Sequence, residues 1–256
     1  MIDINNRQRA WINLGAIVAA FGLNVLANTG TLGARTIADI SNQDFADVLI
    51  IPASYAFAIW GLIYVGLFTF GIHQIVSKKY DHPLYQATGY WITIASGFQI
   101  IWVLLFLSSQ FTLSLLAMIV ILVALGSLYD EITAEESSFK RSKWYIIYPC
   151  SIYAGWISVA TIVNVAVVLF NWGWRGEPLD PTWWTVLLIT IATLLGAWTK
   201  MNEAYKGVFV WALIAIAVKN QSNLIIMTAS FVGAIILTIL LIAKIKKIPL
   251  PRLTFD

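Results

Sequence analysis

The feature that most constrains this chain is a succession of long apolar runs, each near the ~20 residues that carry a helix across roughly 30 Å of hydrocarbon. They fall at about 10–27, 54–76, 88–108, 111–129, 146–170, 183–199, 205–219 and 224–244. With no water in the bilayer core, each segment must satisfy its own backbone N–H and C=O groups, so such runs fold as helices. A composition that is 59% hydrophobic and only 11% charged excludes an ordinary soluble domain. The seventh run is the weakest of the eight, because Gly207 to Val218 is short for a crossing and can also be read as interfacial or re-entrant.

Basic residues decide the seventh run, since juxtamembrane Lys and Arg gather on the cytoplasmic side. Eight crossings place Arg7, Arg9, Lys78, Lys79, Lys140, Arg141, Lys143, Lys200, Lys206, Lys244, Lys246, Lys247 and Arg252 on one side, thirteen in all, against Arg35, Arg175 and Lys219 on the other. Both termini are therefore expected in the cytoplasm, in a multi-pass protein of the plasma (inner) membrane. The loop bias also accounts for the net charge of +3, and no basic block is long enough for a nucleic-acid partner. Cys150, the single cysteine, cannot close an internal disulfide and reads as a packing residue. Arg7, Arg9 and the run ending in Val25-Leu26-Ala27 imitate a signal peptide, but Asn13 and Asn24 inside that run favour a retained helix.

No polar linker or low-complexity tract separates a soluble domain. The longest connection, 28–53, follows the first helix on the outer side; its Thr, Gly, Asn and Asp content predicts ordered turns and a short helix around Ala46. A loop of that length is usually functional. Asp130 to Lys143, with Glu131, Glu135 and Glu136 among basic residues, predicts a solvated cytoplasmic turn. Lys200 and Glu203 predict a solvated pair at i, i+3. His73 reads as an interfacial or packed histidine and His82 as a loop residue, since no further ligands stand at metal-binding spacing.

The tryptophans sort by depth. Trp11, Trp91, Trp144, Trp172, Trp174, Trp183 and Trp184 fall at helix ends, as interfacial belts do. Trp60, Trp102, Trp156, Trp198 and Trp211 do not, and the first three of these stand on aromatic stripes. Phe57, Trp60 and Tyr64 stand at i, i+3 and i+7 on one helix face, Gln99, Trp102 and Phe106 repeat the pattern, and Tyr153, Trp156, Ala160 and Asn164 extend it to i+11. At about 1.5 Å per residue, Trp60 and Trp102 lie in the outer half, Trp156 near the midplane and Asn164 above it. One aromatic in a membrane bundle is ordinarily packing, and one amide is ordinarily interhelical glue. Three stripes at compatible depths predict one shared pocket below the long loop.

These segments resemble the TspO/MBR family, the tryptophan-rich sensory proteins related to the mitochondrial translocator protein. The resemblance covers about 10–172 and rests on Phe57-Ala-Ile-Trp60-Gly-Leu-Ile-Tyr64, on Gln99-Ile-Ile-Trp102-Val-Leu-Leu-Phe106, and on Tyr153-Ala-Gly-Trp156 followed by Ala160 and Asn164. The chain departs from the family at Ala58, where a proline is usual, at Gln99 in place of Asn, and in the displaced Pro149. Residues 183–256 have no counterpart in the short members. The expected fold is thus an all-α polytopic membrane protein, a TspO-like five-helix bundle over 1–176 with three additional transmembrane helices over 177–256 packed on it.

The resemblance implies binding of a planar or bulky apolar ligand, a porphyrin or other tetrapyrrole or a sterol-like molecule, within the bundle. The expected lining is Phe57, Trp60, Tyr64, Gln99, Trp102, Phe106, Tyr153, Trp156, Ala160 and Asn164. Alternatives are transport of such ligands, favoured by the number of helices, and light- or oxygen-dependent porphyrin degradation, implied only by the family. Against transport, midplane carboxylates and broken paired helices are missing. No phosphate loop, metal-ligand cluster or nucleophile elbow appears, so no catalytic residue is assigned and no cofactor is required. Expected partners are membrane lipid and an apolar small molecule; a homodimer is left open.

Overall fold

The computed structural model of the chain describes residues 6–32, 35–78, 80–134, 144–199 and 201–246, and within these every regular element is helical. The helices are α1 (Asn6–Asn28), α2 (Ile37–Gln43), α3 (Ile59–Val76), α4 (Pro83–Ala87), α5 (Trp91–Leu107), α6 (Phe111–Ala134), α7 (Ile147–Asn171), α8 (Pro181–Trp198), α9 (Glu203–Lys219) and α10 (Leu224–Ile245). A 3₁₀ turn, Ser54–Ala58, leads directly into α3. Six of these segments are long and apolar enough to cross a membrane: α1, the 3₁₀ turn with α3, α6, α7, α8 and α10. α5 is a shorter apolar helix of 17 residues, and α9 is as short. The chain is an all-α polytopic membrane bundle.

α1 packs between α3 and α5, α5 on α6, α6 on α7, and α7 returns to α3, so five helices close a ring. Beyond it, α9 lies against α7, and α10 joins α9 to α8. In lipid, helices associate through close packing, and small residues permit the approach. A Cβ on Gly71 of α3 would stand 2.9 Å from Leu14 of α1, and one on Gly66 would stand 3.0 Å from Pro149 of α7. The displaced proline of α7 therefore seats against a glycine. At the ring's edge, Tyr205 donates its hydroxyl to Ser158 (2.9 Å) and Asn202 its amide to Ser151 (2.6 Å), fastening α9 to α7.

Several boundaries differ from the sequence reading. The short helix of the long loop is α2, and Ala46 lies in the turn after it. Thr36 caps α2 by accepting from the Asp39 N–H, and Asp39 accepts from the Thr36 N–H, a reciprocal box that fixes the start at Ile37. α6 continues to Ala134, so Asp130 and Glu131 are helical. Lys79, Glu135, Glu136, Lys140, Arg141, Lys143, Lys200, Lys247 and Arg252 lie outside the described residues. Glu203 pairs with Lys244 at 3.3 Å across α9 and α10. His82 caps α4, with Pro83 in its first turn.

Candidate functional site

The interior of the five-helix ring holds an aromatic cavity of about 50 Å³ at the end of the bundle that carries α2. Phe57, Trp60, Trp102, Phe106, Trp156, Ala160 and Asn164 line it, seven of the ten residues predicted to do so. Phe57 meets Trp156 edge to face at 5.9 Å, and Trp102 packs on Phe106 at 5.2 Å. A further aromatic path runs from Phe106 through Phe111 and Phe45 to Phe170, with successive ring centroids 5.2, 4.8 and 5.9 Å apart. That path joins the cavity wall to the long loop.

Tyr64, Gln99 and Tyr153 stand outside the lining. Tyr64 turns toward α1, donating its hydroxyl to the Ala20 carbonyl at 3.1 Å, with its ring against Phe21. Tyr153 is buried beneath Trp60, edge to face at 5.9 Å, and Trp60 stacks on Tyr64 at 5.8 Å. These two tyrosines hold the Trp60 indole from behind. Gln99 is 1% exposed, and neither amide atom has a hydrogen-bond partner.

The polar atoms of the cavity are few. Trp102 is buried, and its Nε1–H, which belongs to a cavity wall, has no partner. A buried donor left unpaired costs about 1–3 kcal/mol, and a ligand or water acceptor would recover it. Asn164 donates its amide to Ser114 at 3.3 Å, and Ser114 donates to the Phe111 carbonyl at 2.7 Å, so the amide ties α7 to α6 while bordering the cavity. Ser41 adds a hydroxyl from above.

Residues not anticipated complete the walls. Ile37 and Ser41, one turn apart on α2, roof the cavity with Pro52, and Val159, Val163 and Val167 extend the α7 wall. The valines share a helical face with Trp156, Ala160 and Asn164, so periodicity alone could have found them. The roof is fastened by polar contacts. Arg35 forms a two-pronged pair with Asp44 at 2.9 and 2.7 Å, and Asn42 donates to Ser54 at 3.0 Å. The Thr36 backbone bond holds the Asp39 carboxyl below the usual carboxylate range, and Asp44 raises the Arg35 guanidinium.

α9 supports this site from outside the ring. Trp211 donates its indole N–H to the Ala56 carbonyl at 3.1 Å and meets Tyr55 edge to face at 5.3 Å, bracing the 3₁₀ turn that presents Phe57. Ala53 N–H donates to Ala215 O (3.1 Å), and the Asn220 amide to Leu49 O (2.9 Å), tying the long loop to the same helix. No local sequence signal marks a Trp that reaches 155 residues back.

At the opposite end, His73 shares a 2.6 Å hydrogen bond with the Tyr85 hydroxyl and stacks on Tyr145 at 4.4 Å. It is a packed histidine, and among the described residues no cluster of three His, Cys, Asp or Glu could hold a metal. Cys150 is buried and unpaired.

A ring of membrane helices around an aromatic cavity roofed by a short loop helix defines a polytopic membrane protein with an internal candidate site. A family profile described as TSPO-like protein matches residues 10–243, and the chain belongs to that family. The match extends past the five segments that carry the resemblance and takes in α8, α9 and most of α10. No curated protein and no solved structure matches the chain significantly.

Proposed function

We propose that the chain is an eight-span, tryptophan-rich sensory-type membrane protein, with five TspO-like helices and three more packed on them and with both termini in the cytoplasm. It binds a planar apolar ligand, a porphyrin or related tetrapyrrole or a sterol-like molecule, in the aromatic cavity beneath the outer loop. The observation that carries this reading is the convergence of Phe57, Trp60, Trp102 and Trp156 on one cavity whose wall includes an unpaired indole N–H. Tetrapyrrole faces stack on indoles, and the Trp102 N–H with the Ser41 and Asn164 polar groups would meet a polar edge.

The cavity volume sets a condition. About 50 Å³ is far below the roughly 300–1,000 Å³ of a small-molecule site, so binding requires the cavity to open. Tyr64 and Tyr153 act by positioning Trp60.

Absorbance titration of the purified protein with protoporphyrin tests the reading. Aromatic stacking contributes about 0.5–1.5 kcal/mol per pair beyond area burial, so Trp102→Ala and Trp156→Ala should each weaken binding by roughly tenfold or more. Trp183→Ala, at an exposed belt position, should leave it unchanged. Wild-type affinity in both cavity variants with loss in Trp183→Ala would move the site to the interface. Flux into liposomes would identify transport, and product analysis under illumination would identify turnover.

A further inference from the structure

A second cavity, of about 390 Å³, opens where the end of α7, the turn at 174–176, the start of α8 and the segment 47–50 meet. Its volume already falls in the range of roughly 300–1,000 Å³ typical of small-molecule sites, and none of the residues of the aromatic cavity lines it. The interior is apolar, with Val48, Ile50, Ala166, Phe170 and Leu188. Trp174 and Trp184 form aromatic walls with ring centroids 5.2 Å apart. Both indole N–H groups are already used, Trp174 on Glu177 O (3.2 Å) and Trp184 on Gly176 O (2.6 Å), so the rings are held and offer a ligand only their apolar surfaces. Gly176 has φ +109°, and a Cβ there would stand 3.0 Å from Leu179 O, so the turn that joins the two walls requires glycine.

Two charges line the same cavity. The Arg175 guanidinium lies 3.7 Å above the Phe170 ring, and its Nη1 donates to Phe170 O (2.7 Å) and Trp174 O (3.2 Å). Those contacts fix the group through one nitrogen and leave the Nη2 and Nε donors unfilled. The Asp47 carboxylate is exposed and has no hydrogen bond or ion pair among the described residues. The two charges do not pair with each other. A fixed fork of free donors matches phosphate geometry, while a carboxylate beside aromatic walls matches an ammonium.

We propose that this cavity binds the headgroup of a zwitterionic phospholipid, with its phosphate on Arg175 and its ammonium at Asp47 beside the indole walls. The surroundings favour a lipid over a soluble zwitterion. Trp172 and Trp183, 65% and 54% exposed, stand two residues and one residue in sequence from the lining Trp174 and Trp184, in the helix-end positions that interfacial anchors take. Trp184, Leu187, Leu188 and Ile191 share one face of α8, and Leu187 and Ile191 are exposed, so the cavity wall runs onto an apolar stripe that acyl chains can follow. In the topology proposed above, the lipid belongs to the outer leaflet.

The test uses the full chain in an uncharged detergent, titrated separately with dioleoyl phosphatidylethanolamine and with dioleoyl phosphatidylglycerol, and read by native mass spectrometry. One phosphatidylethanolamine should be retained at roughly tenfold lower concentration than phosphatidylglycerol, which lacks the ammonium. Asp47→Asn removes a charge that makes no hydrogen bond or ion pair among the described residues, and it should abolish that preference with little change in stability. Arg175→Gln should weaken both lipids. Equal retention of the two lipids, or an Asp47→Asn variant with wild-type preference, would overturn the proposal. Displacement of the lipid by an equal concentration of water-soluble phosphoethanolamine would overturn it too, by making a soluble zwitterion the occupant.

Discussion

The contact between α7 and α9 offers a sharp test, because it bears on both packing and the candidate site. A Cβ at Gly155 would lie 3.0 Å from the Val208 Cβ and 3.1 Å from the Tyr205 carbonyl oxygen. Neither atom can yield by a rotamer change, since one is a Cβ fixed to the α9 backbone and the other is backbone. α9 would have to retreat by a few tenths of an ångström along an interface also held by the Tyr205–Ser158 and Asn202–Ser151 hydrogen bonds. Overpacking of this kind costs about 1–3 kcal/mol, whereas replacing glycine by alanine within a helix returns at most about 1 kcal/mol. Gly155→Ala should therefore destabilise, by up to about 2 kcal/mol. Gly97 of α5 has nothing within 4 Å of its Cβ position, so Gly97→Ala supplies the propensity gain without the clash and should be neutral or stabilising by up to about 1 kcal/mol. Reversible denaturation with increasing SDS in mixed micelles measures both. Equal stability of the two variants would refute the close approach of α9 to α7. Because α9 carries Trp211 against the turn that presents Phe57, Gly155→Ala should also weaken porphyrin binding without touching the cavity.

Acid should loosen the roof. The Asp39 carboxyl titrates below its usual value in the folded chain, so its stabilising effect is complete above about pH 4 and is lost as pH falls through the lowered value. Hydrogen exchange of 37–43, corrected for intrinsic rate, should show constant protection from pH 7 to 5 and a progressive loss once the pH falls below the usual carboxylate range; protection that stays constant down to global acid unfolding would show that the box does not hold α2. A cysteine placed at Asn42 should react with an impermeant reagent only from outside the cell, and labelling only from the cytoplasm would reverse the topology drawn from the basic residues. Ending the chain at Gly176 should give no monodisperse protein, because it strips α7 of the helix that covers Gly155 and removes the partners of Ala53, Ala56 and Leu49. A stable, monodisperse product would mean that the ring needs no such support.

Much of the fold is legible in the sequence because bilayer thickness imposes a length on each apolar run, and runs of that length have one way to satisfy their backbone. The ends are less legible. Polar residues such as Asp130 and Glu131 extend α6 beyond its apolar stretch, since a helix continues wherever its backbone bonds can. α2 does carry a local signal in Thr36 and Asp39 at the spacing of a capping box, whereas loop composition alone gives no position. In the site, the three tryptophans follow from helical spacing, but Tyr64 does not stay with Phe57. Phe57 lies in a 3₁₀ turn and Trp60 in α3, yet both line the cavity, while Tyr64 stands one turn further along α3 and faces α1. The Tyr64 hydroxyl, buried in the bundle, goes where an acceptor is, at Ala20 O.

The same geometry indicates how the small cavity would admit a ligand. Its walls belong to helices in close contact through Gly66 with Pro149 and Gly71 with Leu14, so parting them would break extended packing. Its roof is a seven-residue helix whose polar fastenings are few. Chief among them is the Arg35–Asp44 pair, both members 40% exposed, and exposed ion pairs contribute only about 0–1 kcal/mol. The roof is the less costly element to displace. Breaking it selectively with Asp44→Asn should speed porphyrin association while changing dissociation by a similar factor, leaving the equilibrium affinity nearly constant. A change confined to equilibrium affinity, with association unaltered, would place the entrance between helices and not beneath α2.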